Sequence, residues 1–153
     1  MYSKTESSEI KQAFWTAFGQ FMSLQPTLNA SKVNWINYKT GVKYLYFKMD
    51  ADQKSTSISI ELSHPDLGVQ ELMYEQFGEL RRLLENTVGE KWEWSLHEAN
   101  AQQRTISTIK AQLPGVSIYN KEDWPTMISF LKQRMMALHE FWENAQYAFE
   151  IFL

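Results

Sequence analysis

The chain of 153 residues contains no cysteine. That excludes disulfides, a thiolate nucleophile and Cys-ligated zinc, and it suits a reducing compartment. Long apolar runs are missing as well: nothing approaches the ~18 consecutive apolar residues of a membrane span. The start, MYSKTESSEIKQ, lacks a basic segment followed by an apolar one. A cytoplasmic protein without membrane contact is therefore expected. There is no basic excess or basic tail; the formal net charge is -3, so no long-range field draws in polyphosphate. Glycine-rich phosphate loops and a Gly-flanked nucleophilic serine are absent, as are low-complexity tracts and repeats of 20 to 50 residues.

Aromatic side chains are abundant instead: nine Phe, seven Tyr and six Trp. Each buries a large area, and the Tyr and Trp tips seek polar partners. With 44% apolar and 22% charged residues the composition is that of a packed globular protein. The length matches one domain, so residues 1–153 are read as a single unit.

Apolar spacing assigns the elements. Ile10, Phe14, Ala17, Phe18, Phe21 and Leu24 recur at steps of three and four, predicting a helix capped at Ser7 or Ser8 and ended by Pro26. The polar stretch QPTLNASKVN then connects, with Leu28 and Val33 as pins to the core. From Val42 the period becomes two: Leu45, Phe47 and Met49 face one way, Tyr44, Tyr46 and Lys48 the other. Ile58, Ile60 and Leu62 repeat the pattern after the loop DADQK. Matching apolar faces sets Phe47 opposite Ile58, Tyr46 beside Ser59 and Tyr44 beside Glu61. Ser63 and Asp66 are spaced as a capping box for a second helix, with the stripe Val69, Leu72, Met73, Phe77, Leu80, Leu84 and Val88 and a stop at Gly89. KWEWSLHE and RTISTIK read as strands, and VSIY after Pro114-Gly115 as a short further one. Near Asn120 a last helix begins, striped from Trp124 through Trp142 to Phe152, about 43 Å if straight. Its end is expected to bend near Tyr147 and fold back over the first helix, leaving a monomer; pairing of two copies along it is the alternative.

The order helix-strand-strand-helix-strand-strand-(strand)-helix predicts an α+β fold, an antiparallel sheet of about four to five strands with one face covered by three helices. Together, the motifs FWTAFGQFM, WINYKTGVKYLYFKMD, ISIELSHPDLGVQELMYEQF, WEWSLHE, GVSIYNKEDWPTMISFLKQRM and LHEFWENAQYAFE resemble an uncharacterised bacterial domain-of-unknown-function family. The resemblance spans nearly the whole chain. It implies small stand-alone proteins, and C-terminal domains beside restriction-endonuclease-like regions, hence work near nucleic acid. It assigns no catalytic residue.

A two-metal nuclease needs acids on neighbouring strands and commonly a lysine two residues past the second acid. Asp50, Asp52 and Glu61 are the nearest set, but Ser63 stands where that lysine would be, and Asp50 with Asp52 reads as a turn pair. His64, His97 and His139 lack metal-ligand spacing. His64 reads as a helix cap and His139 as a neighbour of the stripe residue Leu138; His97 would be a general acid or base only within a cleft. No catalytic residue, cofactor or metal is assigned. What stands out is a sheet face holding Tyr44, Tyr46, Lys48, Ser59, Glu61, Glu93 and His97, joined by Ser57 and Ser95, which no helix is available to cover. Its aromatic, mixed-charge surface reads first as a binding face for an unknown protein or peptide. The alternatives are stacking of unpaired bases with lysines on phosphate, packing of Tyr44 and Tyr46 beneath WINYKTG, and a divergent metal-dependent nuclease or other hydrolase.

Overall fold

The computed structural model describes residues 2–24 and 33–153. Helix α1 spans Lys4–Ser23 and begins earlier than the apolar stripe implies. Ser3 and Glu6 form the capping box, satisfying two backbone N–H groups reciprocally. Ser7, expected as the cap, meets the Tyr119 hydroxyl at 2.8 Å instead. The buried face is Phe14, Phe18 and Met22, so the stripe is rotated from the expected one: Phe21 and Leu24 are exposed. Val33 packs against the core; Pro26 and Leu28 lie outside the described residues.

Strands β1 (Leu45–Ala51) and β2 (Ser55–Leu62) form the expected hairpin. The parity is right: Leu45, Phe47, Ile58, Ile60 and Leu62 are all buried on one face. The register is two residues off, with Phe47 opposite Ile60, Leu45 opposite Leu62 and Tyr46 opposite Glu61, not Ser59. A two-residue slip preserves which face each side chain takes, so hydrophobic matching cannot choose between the two. The turn chooses. Asp52 Oδ1 accepts the amides of Lys54 and Ser55, both at 2.9 Å, closing a tight loop that leaves Asp50 and Ala51 in the strand.

Helix α2 (Leu67–Glu79) is capped by Asp66, whose carboxylate takes the amides of Gly68 and Val69, rather than by Ser63. His64 contributes as expected of a cap neighbour, its Nδ1 accepting the Asp66 amide at 3.0 Å. The single helix expected through Val88 is two: α3 (Arg81–Val88) follows a break at Leu80. Helix α2 lies on the sheet and α3 on the last helix, which one straight rod would not do. Gly89 ends α3 in the left-handed region at φ 76°, where a side chain would be strained.

Strands β3 (Glu93–Ala99) and β4 (Thr105–Pro114) complete an antiparallel sheet of order β1-β2-β4-β3. The stretch VSIY is no fifth strand. It turns, with Ile118 buried and its amide on the Asp52 carbonyl. A short 3-10 turn, Lys121–Asp123, capped by Asn120 as expected, leads into α4 (Trp124–Ala145). This helix is about 33 Å long and is followed by a 3-10 segment, Gln146–Phe152. The chain end does fold back, but onto α2: the Phe149 ring lies 4.5 Å from Phe77 and 5.2 Å from Trp142. Trp142 and Phe149 are thereby buried within one chain. The result is an α+β layer in which, among the described residues, α2 and α4 lie on one face of the sheet and α1 and α3 pack on α4.

Candidate functional site

The stretch from Ile36 to Met49 builds one continuous feature. Strand β1 is an edge of the sheet, and the loop before it runs alongside, so a groove of about 660 Å³ opens between them, lined also by Trp15 of α1. Lys39, Lys43 and Lys48 line it, and no carboxylate does among the described residues.

The loop wall is pinned to α4 at two points. The indole of Trp142 donates to the Thr40 carbonyl at 2.9 Å, and the buried Thr40 hydroxyl donates to the Leu45 carbonyl at 2.9 Å. The Tyr38 hydroxyl lies 2.6 Å from His139 Nδ1, and His139 Nε2 lies 2.9 Å from Glu143. Burial, and behind it the Glu143 charge, pushes the Tyr38 hydroxyl up to about 12. Tyr38 therefore stays protonated at neutral pH and shares its hydrogen bond with Nδ1, while the Glu143 carboxylate accepts from Nε2–H. A tyrosine held this way is a poor nucleophile, and the Tyr-His-Glu chain ties the loop to α4. Gly41 at φ 82° and Tyr44 at φ 68° make the reversal that brings the loop back into β1.

The strand's own backbone matters as much. Tyr44 and Ser63 are bonded across the hairpin, as are Asp52 and Ser55. By alternation, the even-numbered residues of β1 bond to β2, and the odd-numbered ones turn N–H and C=O outward. The Leu45 amide is taken by Val42 and the Ala51 amide by Asp50. Phe47 and Met49 have no such partner among the described residues, so two N–H and two C=O groups face the groove.

The other face of the sheet carries most of the expected residues together: Tyr46, Lys48, Ser59, Glu61 and Glu93, with Thr108 and Lys110 of β4. Lys48 bonds Glu61 at 2.7 Å and lies 5.2 Å from the Tyr46 ring centre. Two expected members are elsewhere. Tyr44 precedes the strand and packs edge-on against His64 at 4.9 Å. His97 falls in a β-bulge between Ser95 and Glu98, at φ 53°, and its Nε2 lies 3.2 Å from the Leu67 carbonyl at the start of α2. The bulge breaks the alternation that placed His97 outward. Glu98 takes its position, accepting from Ser95 at 2.9 Å and Thr108 at 2.9 Å. Among the described residues no group of three or more His, Asp or Glu side chains is arranged to hold a metal ion, and no helix is long and apolar enough to cross a membrane.

A family model described as Domain of unknown function (DUF4268) matches residues 10–146. The chain belongs to this family. No curated protein and no solved structure matches it. For this DUF4268 member the site rests on its own geometry.

One sequence signal points to the groove and is independent of strand periodicity. Between Glu9 and Asp50 there is no carboxylate, while that stretch carries five lysines, in a chain whose net charge is negative. The charge is segregated, and the groove lies in the basic part.

Proposed function

We propose that this DUF4268 member is a non-catalytic interaction domain of the cytoplasm, acting as a monomer, whose groove beside β1 receives an anionic polypeptide. The carrying observation is the groove itself: Lys39, Lys43 and Lys48 line it, the last shared with Glu61, no carboxylate lines it among the described residues, its walls are apolar, and one wall is pinned by Tyr38 and Thr40 before any partner arrives. A nucleic-acid role draws on the same lysines, but the aromatic rings do not form a stacking platform: Tyr44 is engaged by His64, and Glu61 and Glu93 stand on the adjoining face. The test is a selection from displayed random peptides on the intact protein, counter-selected on a Lys39→Glu/Lys43→Glu variant. Acidic sequences that bind the protein and not the variant are expected. Enrichment without acidic bias, or tight salt-dependent binding of single-stranded oligonucleotides instead, would overturn the reading.

A further inference from the structure

Resting on that reading of the groove, the mode of binding follows from the backbone of β1. We infer that the partner is an extended segment of alternating apolar and acidic residues that adds to the sheet as a fifth strand along Phe47 and Met49. Four backbone groups at these two residues face outward, spaced as the next strand of a sheet requires. Side chains of an added strand would alternate between the two faces. Those in line with Phe47 and Met49 meet the apolar side, where Trp15 and Val42 line the groove; those in line with Tyr46 and Lys48 meet the polar side. Lys43, beside Tyr44, and Lys48, beside Tyr46 and shared with Glu61 at 2.7 Å, are then the charges such a segment faces.

Lysine on an edge strand also serves to prevent edge-to-edge association. Here that function selects the occupant. A second copy laid on β1 would bring its own Lys43 and Lys48 against these lysines, whereas an acidic strand meets complementary charge. The opposite edge, β3, is bulged and carries Glu93 and Glu98, so it offers no equivalent ladder.

The probe is a fluorescein-labelled heptapeptide alternating valine with glutamate, titrated into the full chain by anisotropy. Two N-methylated forms, each blocking one alternate set of peptide amides, are compared with it, together with a valine/lysine counterpart and an oligothymidylate. Binding of the valine/glutamate peptide is expected, lost on N-methylation of one set and kept on methylation of the other, with no binding of the lysine counterpart. Met49→Pro, which removes an outward N–H and no β1–β2 bond, should weaken binding at least about tenfold. Should that variant fail to fold, the pair of N-methylated peptides decides alone. Equal binding of both N-methylated forms overturns strand addition while leaving the groove as a peptide site. No binding of the valine/glutamate peptide at millimolar concentration also overturns the inference. If the oligothymidylate binds and the peptide does not, both the inference and the functional reading fall.

Discussion

The two edges of the sheet solve the same problem in opposite ways. An unpaired edge is a template for association, and proteins usually blunt it. At β3 the bulge between Ser95 and Glu98 interrupts the ladder, His97 turns inward at φ 53°, and acidic side chains stand along the strand. At β1 the strand is regular through seven residue pairs and has a preformed groove alongside. The side chains beneath the edges differ too. Phe47 is 3% exposed under β1, while Leu96 of β3 is 40% exposed. One edge is protected by irregularity, and the other is kept regular, firmly backed and positively charged. An edge left regular beside a cleft is the arrangement that strand addition requires.

The largest test of that contrast is truncation under each edge. Phe47→Ala is expected to cost about 3–5 kcal/mol, because it opens a cavity in the contact with Tyr38 at 5.1 Å and Trp142 at 5.7 Å. Leu96→Ala should cost less than about 1 kcal/mol. Urea denaturation midpoints measure both; comparable losses would show that β3 is as firmly backed as β1. Next in size is the root of β3. Arg134 of α4 grips Glu90 with two hydrogen bonds of 2.8 Å, and the Trp92 indole adds a third to the same carboxylate. Arg134→Ala is expected to cost about 1–3 kcal/mol. The Arg134 hydrogen bonds hold the Glu90 carboxyl below the usual carboxylate range despite its partial burial. Its contribution is therefore present above the ordinary carboxylate value and lost as pH falls through the depressed one, so the gap between wild type and Arg134→Ala should narrow in acid.

Much of the contrast was legible in the sequence, and the remainder was not, for identifiable reasons. The α+β order, the shared face of Leu45, Phe47, Ile58 and Ile60, the stop at Gly89 and the Asn120 cap all follow from local periodicity and capping chemistry. The register of β1 on β2 did not, because a slip of two residues leaves every face unchanged and only the Asp52 turn decides. The position of His97 was hidden by a bulge, which inserts a residue without altering the composition of KWEWSLHE. The break at Leu80 arises because α2 and α3 pack on different layers, a tertiary demand. At the candidate site, the aromatic and lysine-rich stretch was visible, but its reading as a sheet face was incomplete: half of it is a loop that forms a wall beside the strand.

A smaller effect tests how the groove wall is fixed. Tyr38→Phe removes the hydrogen bond to His139 and should cost about 1 kcal/mol at neutral pH. The wild-type Tyr38 hydroxyl ionises only near 12, so its contribution is complete below pH 10, the ordinary tyrosine value, and is lost as pH rises toward 12. Wild type should lose roughly 1 kcal/mol over that interval, after allowing for partial exposure, and the variant should not. Ultraviolet titration should show the latest-ionising tyrosine disappear in the variant. An unchanged high-pH step would assign it to another tyrosine and remove the fastening from the wall.

The last prediction costs no stability, and it bears most directly on whether β1 is open. If the edge is free, amide exchange along the strand must alternate. Tyr46, Lys48 and Asp50 donate across the hairpin and exchange only when the sheet opens, while Phe47 and Met49 donate outward into the groove. Leu45 and Ala51, held by Val42 and Asp50, should fall between. A protection ratio of at least about a hundredfold between Lys48 and its two neighbours is expected, since two open amides flank one in a continuous ladder. Side-chain burial does not produce this pattern, because Phe47 is buried and Lys48 exposed. It would favour the opposite order. Uniform protection from Leu45 to Ala51 would mean that another element already pairs with the edge in solution. The two edges of the sheet would then be equally closed, and the groove would have no strand left to offer.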